Sequence, residues 1–156
     1  MEDARSINID FFETYIRLDD LCKETYGFSV SEYINKMTDT PFFDQTLVSN
    51  WDKSYKTLRH LRHLRNELAH SQNAFERELC TKSDTSRLKS MCYKIKNGTD
   101  PLALLYEQRA QKPMFDKDED RDYIRVHMKK ILVGAAFLAG LATVTAAAIF
   151  SDHHKE

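Results

Sequence analysis

The chain has 156 residues, of which 23 are Lys or Arg and 24 are Asp or Glu, for a formal net charge of −1. That length supports one domain with a real core, and that balance excludes the global cationic excess that favours non-specific nucleic-acid binding. Any anion-binding surface therefore has to be local.

The N-terminus, beginning MEDARSINIDFF, is acidic and lacks a cationic stretch followed by an apolar run, so it does not read as a secretory signal. Phe11, Tyr15, Leu18 and Cys22 recur at helical spacing, with Ile9, Phe12 and Ile16 beside them, and Gly27 is a natural stop for this first helix. Ser29 or Ser31 opens a short helix through Met37, which Thr40 and Pro41 interrupt. A long helix then starts between Asp44 and Asn50 and runs toward His70.

Farther on, Thr81 with Asp84 forms a capping pair for a helix that closes at Asn97-Gly98. Asp100-Pro101 marks another start, with proline in the permitted first turn, and Leu102, Leu105 and Tyr106 supply the buried side of the helix that follows. Strand-like alternation, GxGxxG and GxxxxGK[ST] are all missing from the sequence, which sets aside Rossmann and Walker-type nucleotide sites. Cys22, Cys80 and Cys92 fit no CxxC or other metal-ligand spacing and read as ordinary thiols of a reducing compartment.

The fold class expected is all-α: a helical bundle over residues 1–111, then a charged stalk over 112–130, a single transmembrane helix over 131–150 and a short polar tail over 151–156. Asp116 to Asp122 are consecutive charged residues, which gives the stalk its character. From Ile131 to Phe150 no residue is charged, and only Thr143 and Thr145 carry polar side chains, which helix carbonyls can satisfy. Arg121, Arg125, Lys129 and Lys130 precede this stretch while Lys155 alone follows it, so the N-terminal domain should face the cytoplasm. Ala135, Ala139, Thr143 and Ala147 form a row of small residues along which two such helices can pack, which hints at a dimer.

The chemistry concentrates in the long helix, in the stretch LRHLRHLRNELAHS from Leu58 to Ser71. At about 100° per residue, with Arg59 as zero, Leu58, Leu61, Leu64 and Leu68 occupy an arc from roughly 140° to 260°. Arg59, His63, Asn66 and His70 cluster within about 40° of zero, which makes the opposite face basic. Arg65 falls near 240°, inside the apolar arc. A guanidinium cannot shed its charge, so it must snorkel outward, pair with an acid such as Asp19, Asp20 or Glu24, or meet an anion at the edge of the bundle. Arg65 and His70 are separated by about 140° on an ideal helix. They converge on one ligand only if the helix is distorted between them or if two chains bring their copies together.

The motif RNELAH, Arg65 to His70, set in this leucine pattern, resembles the signature of the HEPN superfamily, helical domains in which an Arg and a polar residue precede a His. The resemblance implies a dimer whose Arg and His residues share a cleft and cleave RNA without metal or cofactor, by attack of the RNA's own 2′-hydroxyl. Carried over by motif position, Arg65 would clamp the scissile phosphate, His70 would act as general acid/base and Asn66 would orient by hydrogen bonding. The basic face of Arg59, Arg62 and His63 lies outside the motif and would either guide RNA phosphates or remain a solvated surface. Toxin-type RNases of this superfamily often carry an aromatic two residues after the His, where this chain has Gln72. The superfamily also holds non-catalytic dimerisation and partner-binding modules, in which the Arg serves in structural pairing and the His caps or packs at the helix end. Besides RNA, the membrane and a second copy, the resemblance leaves open a protein regulator such as an antitoxin. His60 and His63 form an HxxH pair without nearby ligands at useful sequence spacing, so no metal is expected there.

Overall fold

In the computed structural model, which describes residues 3–111, α1 runs over Ala4–Tyr26 and is fixed at both ends by its own sequence. The Asp3 carboxylate accepts the Ser6 N–H at 2.7 Å, and Gly27 takes the left-handed conformation (φ 79°) that a side chain would strain, returning its N–H to the Lys23 carbonyl. In α2 (Val30–Asp39), Ser29 and Glu32 form a reciprocal capping box. The helix continues two residues past Met37, because the Thr40 hydroxyl donates back to the Lys36 carbonyl at 2.7 Å and closes the last turn.

Pro41 is followed by a short helix that periodicity could not reveal, α3 (Phe42–Gln45). The Asp44 carboxylate within it accepts from Arg109 at 2.6 Å, which ties this connection to the last helix. Asn50, left-handed at φ 61°, then turns the chain into α4 (Trp51–His70). A 3-10 turn at Ala74–Glu76 leads to α5 (Lys82–Lys96), whose Thr81/Asp84 capping box agrees with the sequence reading, and α6 spans Pro101–Gln111. The described residues are helical and contain no strand.

The core collects the apolar stripes of these helices: Phe11 and Leu18 from α1, Tyr33 and Ile34 from α2, Leu58 and Leu61 from α4, Leu88 from α5, and Leu102 and Leu105 from α6. Fully burying each such side chain contributes about 1.5–3 kcal/mol. Tyr106 is only half-buried, while Ile9 and Ile16 stay on the surface, 39% and 46% exposed. The three cysteines are free, Cys22 and Cys80 buried and Cys92 half-buried. Burial pushes the thiols of Cys22 and Cys80 up to about 12.

Two fully buried polar side chains lock the helices together. Asn8 of α1 donates its amide to the Phe75 and Arg77 carbonyls at 3.0 and 2.6 Å, and its own carbonyl accepts the Cys80 N–H at 3.1 Å. It thereby satisfies the backbone of an irregular connection that no helix ladder can serve. Asp100, also fully buried, accepts the phenols of Tyr26 and Tyr33 at 2.6 Å, and the Tyr33 oxygen accepts the Leu102 N–H at 3.1 Å. Burial, followed by the Asp100 charge, holds the Tyr33 phenol well above its ordinary range, so it remains a donor.

The expected span over 131–150 and the stalk over 112–130 lie outside the described residues. Among the described residues no helix is long and apolar enough to cross a membrane.

Asp100→Ala would remove the carboxylate that accepts from two buried phenols and from the first turn of α6. It should cost about 3 kcal/mol or more of unfolding free energy, read from urea denaturation with an unchanged slope.

Candidate functional site

α4 is helical without interruption from Trp51 to His70, and the Ser71 N–H still bonds the Glu67 carbonyl at 3.0 Å. Of the two routes by which Arg65 and His70 could meet, distortion of the helix between them is therefore not taken. Within one chain the two side chains keep their helical separation.

The buried stripe of α4 consists of Trp51, Leu58, Leu61, Leu64 and Leu68, as the leucine periodicity predicts. Arg65, the cation inside that stripe, is half-buried at its edge. Its guanidinium lies over the rings of Phe12 and Tyr15 of α1, 5.9 and 6.0 Å from their centroids, and donates to the Asn66 side-chain oxygen at 3.3 Å. No carboxylate pairs with it among the described residues. That corrects the structural alternative: Asp19 is held by Lys23 at 2.7 Å and accepts the Val30 N–H at 2.9 Å, and Asp20 lies 3.9 Å from Lys23. The aromatic faces of α1 lie under the guanidinium, a partner that the sequence reading's three alternatives did not include.

Arg65 and Asn66 line a groove where α1, the start of α2 and α4 meet, with Tyr15, Asp19, Asp20 and Lys23 also on its walls. Burial, then Asp19, raises the Tyr15 phenol to about 12, while Arg65 and Arg62 oppose the rise. Asn66 also borders a second, shallower groove with Arg59, Arg62 and His63, which holds three of the four residues that the helical wheel grouped, Arg59, His63 and Asn66, and leaves out His70. Arg59 is braced over the Tyr55 ring at 5.6 Å. His70 lines neither groove. It is exposed in the last turn of α4 and makes no hydrogen bond among the described residues, so it does not cap or pack at the helix end.

His60 meets a carboxylate that sequence spacing did not reveal, Asp84 of α5 at 3.4 Å. Asp84 also receives Arg87 and the Thr81 hydroxyl, and no group of three ligating side chains that could hold a metal forms among the described residues. The seat of Arg65 on Phe12 and Tyr15 was also missed. Its signal was present, since an arginine in an apolar arc needs a partner and α1 offers an aromatic pair at three-residue spacing.

The arrangement can hold an anion at Arg65 from one side only, the guanidinium being half-covered and pre-oriented by the rings beneath it. It can present an exposed imidazole at the end of the same helix. A family model described as a family of unknown function, DUF6548, matches residues 9–134. The chain belongs to that family. The match covers most of α1, all of α2 to α6 and the charged segment, and ends four residues into the apolar stretch. No curated protein and no solved structure matches the chain.

Replacing Arg65 with Ala should separate a functional cation from a structural ion pair. Loss of the contact with Phe12 and Tyr15 should cost about 1 kcal/mol, against the roughly 3–5 kcal/mol expected for breaking a buried pair. Thermal and urea unfolding of the variant beside wild type would measure the difference.

Proposed function

We propose that this protein is a membrane-anchored, HEPN-like, metal-independent endoribonuclease whose site is completed when two chains pair. The observation carrying this reading is the state of Arg65: a half-exposed guanidinium, positioned by aromatic rings, with no carboxylate neutralising it among the described residues, on the same unbroken helix as an exposed histidine. A cation that is positioned but unpaired is suited to an incoming phosphate.

In this reading the 2′-hydroxyl attacks its own phosphorus, the bond to the 5′-oxygen breaks, and a 2′,3′-cyclic phosphate is left. His70 moves protons at the 2′ and 5′ oxygens, Arg65 stabilises charge on the phosphoryl oxygens, and Asn66 fixes the guanidinium it already touches. Because helical pitch keeps Arg65 and His70 of one chain apart, the phosphate would take its arginine and its histidine from different copies. The anchor is Ile131 to Phe150, and the basic flank from Arg121 to Lys130 leaves the catalytic domain in the cytoplasm.

One observation favours a second reading. A guanidinium stacked on α1 also pins α4 to it, as a non-catalytic dimerisation or partner-binding module at the membrane would require.

The test uses full-length protein in neutral detergent, incubated with mixed-sequence RNA in EDTA. Cleavage leaving 2′,3′-cyclic ends should fall at least about a hundredfold in both His70→Ala and Arg65→Ala proteins of verified fold. Folded dimer that leaves RNA intact would move the assignment to the binding module. For the anchor, alkaline carbonate should leave the full-length chain in the membrane pellet, and its release into the supernatant would remove the span.

A further inference from the structure

Where α4 faces α5, the two helices form a groove of about 440 Å³ that none of the motif residues lines. Its floor includes the buried Leu58, Leu61 and Met91, and its rim carries Lys53 of α4 with Arg87 and Lys94 of α5. No acidic side chain lines it. Lys53 and Lys94 make no ion pair among the described residues, while Arg87 reaches the buried Asp84 at 3.5 Å and remains half-exposed (side chain 52%).

Three cations around an apolar floor are unusual in a chain whose net charge is −1. Farther around α4, Lys56, Arg59 and Arg62 add cations to the second groove, which His60, 3.4 Å from Asp84, also lines. An anion that follows this surface must be extended and carry charges at intervals, and it must offer flat apolar parts to the floor between them. Single-stranded nucleic acid has that chemistry, with phosphates for the cationic rim and base edges for the polar Asn50, Ser54, Thr57 and Ser90 that line the groove beside Leu58, Leu61 and Met91. The faces of a duplex are too broad and too polar for the floor, and a bilayer's headgroup plane would meet the rim without entering the groove.

We infer that the α4/α5 groove binds the single-stranded flank of the RNA, with Lys53, Arg87 and Lys94 on its phosphates. The inference rests on the RNA-cleaving reading and deepens it: it makes unpaired RNA the substrate class and adds a second arm of contact distant from the reacting phosphate. These three are positioning residues, acting on affinity and not on proton transfer.

The test is Lys53→Gln/Lys94→Gln, two exposed residues without ion pairs among the described residues, made in full-length protein in neutral detergent. Fluorescence anisotropy with a labelled single-stranded RNA, in a His70→Ala background and EDTA so that the probe survives, should show affinity lowered roughly tenfold at low salt. The slope of log affinity against log salt should be shallower by about 1.4, from two phosphate contacts at roughly 0.7 each. With His70 intact, KM should rise while kcat holds, and a hairpin of the same composition should bind more weakly than the single strand to the parent protein.

An unchanged slope in a protein that still binds and cleaves RNA overturns the groove and leaves the catalytic reading standing. Wild type that binds RNA through Lys53 and Lys94 but never cleaves it supports the groove and overturns the nuclease. Wild type that binds phosphatidylglycerol vesicles and no RNA overturns both and gives the surface to lipid headgroups.

Discussion

A helix that does not break between Trp51 and His70 imposes its pitch on everything the protein can do with α4. The 3.6-residue turn puts four leucines into the core, a basic face toward solvent and Arg65 at the boundary between them. It also denies Arg65 and His70 a common target within one chain, because only a kink or a bulge could rotate one toward the other and neither occurs. Pairing of two chains is thus a geometric requirement of the catalytic reading, whereas a binding module makes no such demand.

The boundary position works because of what α1 presents to it. Phe12 and Tyr15 offer two aromatic faces at the distance where a guanidinium is attracted to the ring quadrupole, and an arginine is only weakly hydrated, so partial burial is tolerable. A carboxylate at the same place would neutralise the charge and close the site to any other anion. Asp19 and Asp20 line the same groove as Arg65, and Lys23 lies 2.7 Å from the first and 3.9 Å from the second. The placement of α1 depends in turn on Asn8, which takes four backbone groups of the connection after α4, and on the Asp100 carboxylate, which gathers Tyr26, Tyr33 and the first turn of α6. Apolar burial supplies the drive for these helices to associate, and these directional bonds select the packing that brings Phe12 and Tyr15 beneath Arg65.

What the sequence revealed and what it hid follow from the range of each interaction. The leucine stripe, Ser29 or Ser31 as the start of α2, the Thr81/Asp84 box and Gly27 are local, set by residues within a turn or two, and they could be read directly. Asp100 looked like a helix start, which it is, but nothing local marks it as the acceptor for phenols more than sixty residues away. Asn8 lies among charged and apolar residues of α1 with no hint that it is fully buried. Of the site, Arg65, Asn66 and the basic face were legible because helical geometry alone places them. The partner of Arg65 was not, since the choice among Asp19, Asp20, Glu24 and the aromatic rings turns on how α1 rotates against α4.

The same distinction explains how a nearly neutral chain can present a locally cationic surface. Net charge governs the field many ångströms away, where screening over a Debye length of about 8 Å erases most of it. Binding is decided closer in, by which charges already have partners. Asp84 and Asp44 are largely buried and spent on His60, Arg87 and Arg109, and Asp52 is held by Lys56. Glu67 of α4 accepts the Ser71 hydroxyl at 3.2 Å, and the side chains of this surface that make no ion pair among the described residues include the cations Lys53, Arg59, Arg62 and Lys94.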